Sequence, residues 1–112
     1  MKTLVTEEQN APNSLSPVRD ALDVIGGKWK LCLIVSVREG NKRFRDIRKS
    51  VEGISSKVLS SELRHLEMNG LIERTVHTER PVVIEYAITK YGRSLDSVIT
   101  AFVKWGMAHR DK

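Results

Sequence analysis

Apolar positions recur every three or four residues along most of this chain, alternate with polar ones from about Leu71 to Ile88, and then return to helical spacing. The first helical stretch opens at Ser16-Pro17, where serine can cap free amides and proline fits the first turn. Val18, Ala21, Leu22 and Ile25 form its apolar stripe, and Gly26-Gly27 ends it. A second helix is predicted from Lys28 to about Arg38. Its Trp29, Leu31, Leu33, Ile34, Val35 and Val37 are apolar nearly all round, the pattern of a central buried helix. After a Gly40-Asn41 turn, a third helix turns Phe44, Ile47 and Val51 inward and leaves Arg45, Arg48 and Lys49 outside. Glu52-Gly53 breaks it.

Ser55 or Ser56 caps a fourth helix in which Val58, Leu59, Leu63 and Leu66 call for a core. Asn69-Gly70 supplies a left-handed cap, with Leu71 placed to pack back on the last turn. The alternating stretch then divides at Thr78-Glu79-Arg80-Pro81 into two short runs, a hairpin pattern. Thr89 is placed to cap a last helix carrying Tyr91, Leu95, Val98, Ile99, Phe102, Val103 and Trp105 along one broad stripe. The expected class is α+β, mainly α. At 112 residues one domain is the default, spanning residues 16–112 behind a polar, mobile lead-in over residues 1–15.

Composition narrows the function by exclusion. No apolar run approaches the roughly 20 residues of a membrane span, and the N-terminus lacks the pattern of an export signal, so the expected location is the cytoplasm. The single cysteine, Cys32, excludes an internal disulfide and Cys-rich zinc patterns, and His65, His77 and His109 lie too far apart to pair as ligands. No paired carboxylates, nucleophile–base set or phosphate loop is present, so no catalytic residue, metal or cofactor is assigned.

Charge adds a positive indication. Lys and Arg number 19 against 14 Asp and Glu, a net +5. Lys42-Arg43-Phe44-Arg45-Asp46-Ile47-Arg48-Lys49 sets five cations around one acid directly before the fourth helix. On that helix Lys57, Ser60, Ser61 and Arg64 recur at i, i+3, i+4 and i+7, a cationic and hydrogen-bonding set with no acid among the four, which suits phosphates and base edges.

Two helices joined by a short Gly-containing turn and followed by a hairpin define a winged helix-turn-helix with a two-stranded wing and a C-terminal dimerisation helix. The expected partner is double-stranded DNA. The recognition helix, residues 56–68, enters the major groove, and Ser56, Lys57, Ser60, Ser61 and Arg64 are the candidate base-reading residues. Lys42, Arg43, Arg45, Arg48, Lys49 and Ser55 are the candidate phosphate contacts. The wing, residues 77–81, brings His77, Thr78 and Arg80 beside the duplex, with Glu79 an unfavourable charge at its tip. The runner-up is an interaction module that applies the same basic face to RNA or an acidic protein. The absence of aromatics from that face counts against it.

Pro17-Val18, Ile25-Gly26-Gly27-Lys28-Trp29, Phe44-Arg45-Asp46-Ile47, Ile54-Ser55, Val58-Leu59, Leu63, Leu66-Glu67 and Gly70-Leu71-Ile72 resemble HxlR-type regulators. Glu85-Tyr86-Ala87-Ile88-Thr89 and Gly92-Arg93-Ser94-Leu95 extend the resemblance. These are bacterial winged helix-turn-helix transcription factors related to the MarR group. The resemblance implies a homodimer built from terminal helices and a near-palindromic operator. The broad stripe of the last helix agrees, and the expected interface is Val18, Leu22, Leu95, Val98, Ile99, Phe102, Val103 and Trp105.

Many members of the family carry a cysteine before the Pro-Val pair, and some use it to sense oxidants. This chain has Ser16 there, which excludes thiol sensing at that position. Cys32, within the apolar second helix, is expected to be a buried structural thiol. Trp29, Tyr86, Tyr91, Phe102 and Trp105 are expected to be core rather than the lining of an effector pocket. A small-molecule effector is compatible with the chain but has no support in it.

Overall fold

A computed structural model describes residues 12–112. The elements run α1 (Pro12–Ile25), α2 (Lys30–Arg38), α3 (Phe44–Ser50), α4 (Ser56–Met68), β1 (Ile72–His77), β2 (Val83–Ile88), a 3-10 turn (Gly92–Leu95) and α5 (Asp96–Arg110). The two strands pair antiparallel, from Ile72 opposite Ile88 to His77 opposite Val83. This is the mainly α winged arrangement that the hydrophobic pattern predicts.

One core joins α2, α3, α4 and the base of the hairpin. Leu33, Ile34, Ile47, Leu59, Leu63, Leu66, Leu71 and Ile72 are its largest fully buried side chains. Each stabilises the fold by about 1.5–3 kcal/mol through burial. The buried hydroxyl of Ser36 is satisfied by Ser50 and by Asn41 Nδ2 at 3.2 Å, so the polar group in this core has partners. Arg38 Nε lies 3.2 Å from Asp96 Oδ1 and ties the end of α2 to the start of α5.

Several element ends depart from expectation. The expected lead-in lies outside the described residues as far as residue 11, but residues 12–15 already belong to α1. Pro17 therefore sits inside a helix rather than at its start; so near the N-terminus its missing N–H removes only the bond to the Asn13 carbonyl. The second helix begins at Lys30, not Lys28, with Trp29 as an N-cap that makes no side-chain bond. Thr89 Oγ1 does accept a hydrogen bond, 2.9 Å from Gly92 N, but it caps the 3-10 turn and not α5.

Two glycines have structural reasons that spacing alone does not give. Gly70 has φ +75°; Gly70 N donates to Glu67 O at 3.0 Å and Leu71 N to Leu66 O at 3.0 Å, a Schellman cap that ends α4 and delivers Leu71 to the core. Gly92 packs so tightly beneath the wing that a Cβ there would collide with the Leu71 carbonyl and the Ile88 side chain.

Three expectations about burial are overturned. Cys32 is exposed, because α2 buries only Leu33, Ile34, Ser36 and Val37 and turns its other side to an open groove of about 570 Å³. Trp29, Leu31, Val35, Phe102 and Val103 line that groove with Cys32. Tyr91, Phe102 and Trp105 are exposed at 62%, 56% and 68% rather than packed as core; Trp29 and Tyr86 do pack against it. Ile99, expected at a subunit interface, is 4% exposed within the chain's own core, and Leu95 packs against the same core half-buried, because α5 turns one edge of its stripe inward.

Candidate DNA-binding surface

The link between α3 and α4 is built by local chemistry. Val51 and Ile54 are buried on either side of the turn and hold it to the core. Ser55 is the N-cap of α4: its backbone is extended and its Oγ accepts a hydrogen bond from Val58 N at 3.1 Å. The cap leaves the Ser55 hydroxyl proton free to donate outward.

Capping and burial together fix which face of α4 is outward. Leu59, Leu63 and Leu66 lie in the core, while Ser56, Lys57, Ser60, Ser61 and Arg64 are exposed. Met68, 78% exposed, lies one turn beyond Arg64 on the same face and was not anticipated; its i, i+4 spacing from Arg64 is the signal that could have shown it. Glu62 leaves this face altogether and pairs with Lys30 of α2, Nζ to Oε1, at 2.8 Å.

The expected phosphate groups Lys42, Arg43, Arg45, Arg48 and Lys49 are all exposed around α3. Arg43 is partly compensated, its Nε 3.9 Å from Glu85 Oε2. The other oxygen of Glu85 is 3.0 Å from His77 Nε2. Thr75 stands opposite Glu85 in the hairpin, so His77 reaches it diagonally across two strands. Glu85 thus links the wing to the start of α3, a role sequence reasoning missed. Beside it, Tyr86 N donates to Lys42 O at 2.8 Å and joins β2 to the segment before α3 through the backbone. Of the expected wing residues, His77 is engaged by this link, while Thr78 and Arg80 extend exposed beyond it.

This assembly, a helix-turn-helix followed by an antiparallel wing and a terminal helix, defines a winged-helix transcriptional regulator. Residues 24–112 match the family described as HxlR-like helix-turn-helix, and the chain belongs to it. It is 41% identical over 96 residues to the uncharacterized HTH-type transcriptional regulator YdeP of Bacillus subtilis (strain 168), covering 86% of this chain and 75% of that protein. Among solved structures, the HTH-type transcriptional regulator YtcD superposes with a TM-score of 0.81 at 36% identity, over 85% of this chain and 97% of that one. The redox regulator HypR in its reduced form gives 0.79 at 39% identity, over 85% and 94%. The family and these relatives are transcriptional regulators, not enzymes. Among the described residues no helix is long and apolar enough to cross a membrane.

Proposed function

We propose that the chain regulates transcription as a homodimer on a near-palindromic operator, with α4 in the major groove and the wing beside it. Ser56, Lys57, Ser60, Ser61 and Arg64 read bases; Lys42, Arg43, Arg45, Arg48, Lys49 and Ser55 hold phosphates; Thr78, Arg80 and the pinned His77 flank the duplex. The dimer forms through Val18 and Leu22 of α1 and Val98, Phe102, Val103 and Trp105 of α5. The protein acts where the chromosome lies, in the cytoplasm and on the nucleoid.

The observation that carries this reading is the outward face of α4. It is exposed from Ser56 to Met68 and contains cationic and hydroxyl groups suited to DNA; of the two acids of α4, Glu62 is paired with Lys30, while Glu67 is exposed in the last turn, beyond Arg64. The test is selection of bound duplexes from a random DNA pool, followed by affinity against salt for the winner and a scrambled duplex. An inverted repeat with half-sites about 10 base pairs apart, bound more tightly than the control, is the expected result. An unselective pool with equal, steep salt dependence for both duplexes would reduce the binding to non-specific electrostatics.

A further inference from the structure

Glu62 belongs to α4 but lies well away from Lys57 and Arg64 around the helix. At about 3.6 residues per turn it is roughly 140° from Lys57 and roughly 160° from Arg64. Its carboxylate accepts from Lys30 Nζ at 2.8 Å, and the two side chains are only 13% (Lys30) and 21% (Glu62) exposed. Lys30 is the first residue of α2, and its neighbours Trp29 and Leu31 pack against the core. That anchors the base of the lysine.

The largest of the remaining contacts that hold α4 to the other helices are apolar. Leu59, Leu63 and Leu66 pack in the same core as Leu33 and Ile34 of α2. Such burial is strong but non-directional, so it resists separation of the helices more than small rotations of one about its axis. Among the described residues, Lys30–Glu62 is the one side-chain hydrogen bond or ion pair that joins α4 to another helix. A short, charge-assisted bond with little exposure is directional where the apolar contacts are not.

We infer that the Lys30–Glu62 pair sets the rotation of α4 and so aims Lys57, Ser61 and Arg64 at the base edges. Both are positioning residues, since neither belongs to the face expected to meet DNA. The inference rests on α4 being the recognition helix. It matters for specificity because a bidentate arginine–guanine contact holds only within about 10–20° of its productive orientation, whereas a phosphate contact tolerates more.

Charge counting and positioning predict different outcomes for one substitution, the first a uniform change in affinity and the second a change in preference. Glu62→Gln removes a negative charge, so electrostatics alone tightens binding to every duplex. Positioning instead predicts that Glu62→Gln lowers the preference for the selected duplex over a scrambled one by roughly three- to tenfold. Lys30→Met lowers the preference similarly. The exchanged pair, Lys30→Glu with Glu62→Lys, restores the preference at unchanged net charge.

The experiment measures both affinities for these variants and for Arg64→Ala on the full chain, with a urea unfolding midpoint for each to establish folding. A preserved preference in Glu62→Gln, alongside a collapsed preference in Arg64→Ala, overturns the positioning role and leaves the recognition helix standing. A preserved preference in Arg64→Ala as well removes the recognition-helix reading and the inference with it. Should Glu62→Gln fail to fold, the exchanged pair decides: folded without recovered preference, it overturns the inference.

Discussion

Arg64 and Arg48 carry the same charge on consecutive helices, yet the proposed function gives them different parts in the interaction. Both are exposed, and neither meets a carboxylate among the described residues. Arg64 lies on the outward face of α4, where on the proposed reading its planar fork matches guanine; Arg48 lies on α3, which that reading sets across the backbone. Arg64→Lys keeps the charge and loses the fork, so it should leave non-specific affinity nearly unchanged and reduce discrimination at one base position by about 1–3 kcal/mol. Arg48→Ala should weaken all duplexes alike and lower the slope of log affinity against log salt by about one. Titrations of matched and mismatched duplexes at several salt concentrations separate the two; equal, sequence-independent losses would end the division of roles. These exposed cations were legible in the sequence because they recur at helical spacing. Glu62 and Glu85 were not, because their partners belong to other elements: Lys30 is 32 positions from Glu62, and Arg43 lies on the far side of the helix-turn-helix from Glu85.

Helix ends set by local chemistry were the easiest features to anticipate, and they can be tested apart from DNA binding. Ser55→Ala removes the cap on α4 and should cost about 1 kcal/mol, read as a shift in urea midpoint. Ser55→Asp keeps an acceptor for Val58 N, so stability should be nearly retained. It also puts a carboxylate where a phosphate is expected, so affinity should fall for every duplex. Retained affinity in Ser55→Asp would remove Ser55 from the phosphate contacts. Gly70→Ala, at φ +75°, should cost about 1–2 kcal/mol by backbone strain alone, since no atom crowds the site. Gly92→Ala should cost more than Gly70→Ala, because the Leu71 carbonyl and Ile88 side chain must move. Unfolding midpoints in the reverse order would show that backbone conformation and not close packing dominates here. Asn69-Gly70 announces its cap in the sequence. Gly92 does not announce its packing, since the contact depends on how the hairpin folds over the 3-10 turn. The start of α1 was misread for a related reason: Pro12 and Pro17 both suit a first helical turn, and local chemistry does not choose between them.

The described part of the molecule is too extended to be a closed globule. It measures 63 × 32 × 21 Å with a radius of gyration of 17.1 Å, against about 13 Å for a compact chain of 100 residues. The excess apolar surface is on the terminal helices: Leu15, Val18 and Leu22 of α1, and Val98, Phe102, Val103, Trp105 and Met107 of α5. The sequence disclosed the surplus as a stripe too broad for a small core. It could not divide that stripe, because Ile99 and Phe102 are neighbours on α5, and only the packing of α2 beside it decides which one is covered. If the terminal helices cover each other in a dimer, charge placed on either should separate the subunits without unfolding the core. Leu22→Asp with Phe102→Asp should sediment as a monomer at micromolar concentration and still unfold cooperatively in urea, with a midpoint that no longer depends on protein concentration, since both side chains are exposed in the single chain. Loss of the second recognition helix should reduce affinity for a full inverted repeat far more than for an isolated half-site, because the second half-site contact becomes intermolecular. A variant that still sediments as a dimer would show that α1 and α5 do not form the interface. A monomer with full operator affinity would show that subunit pairing plays no part in binding DNA.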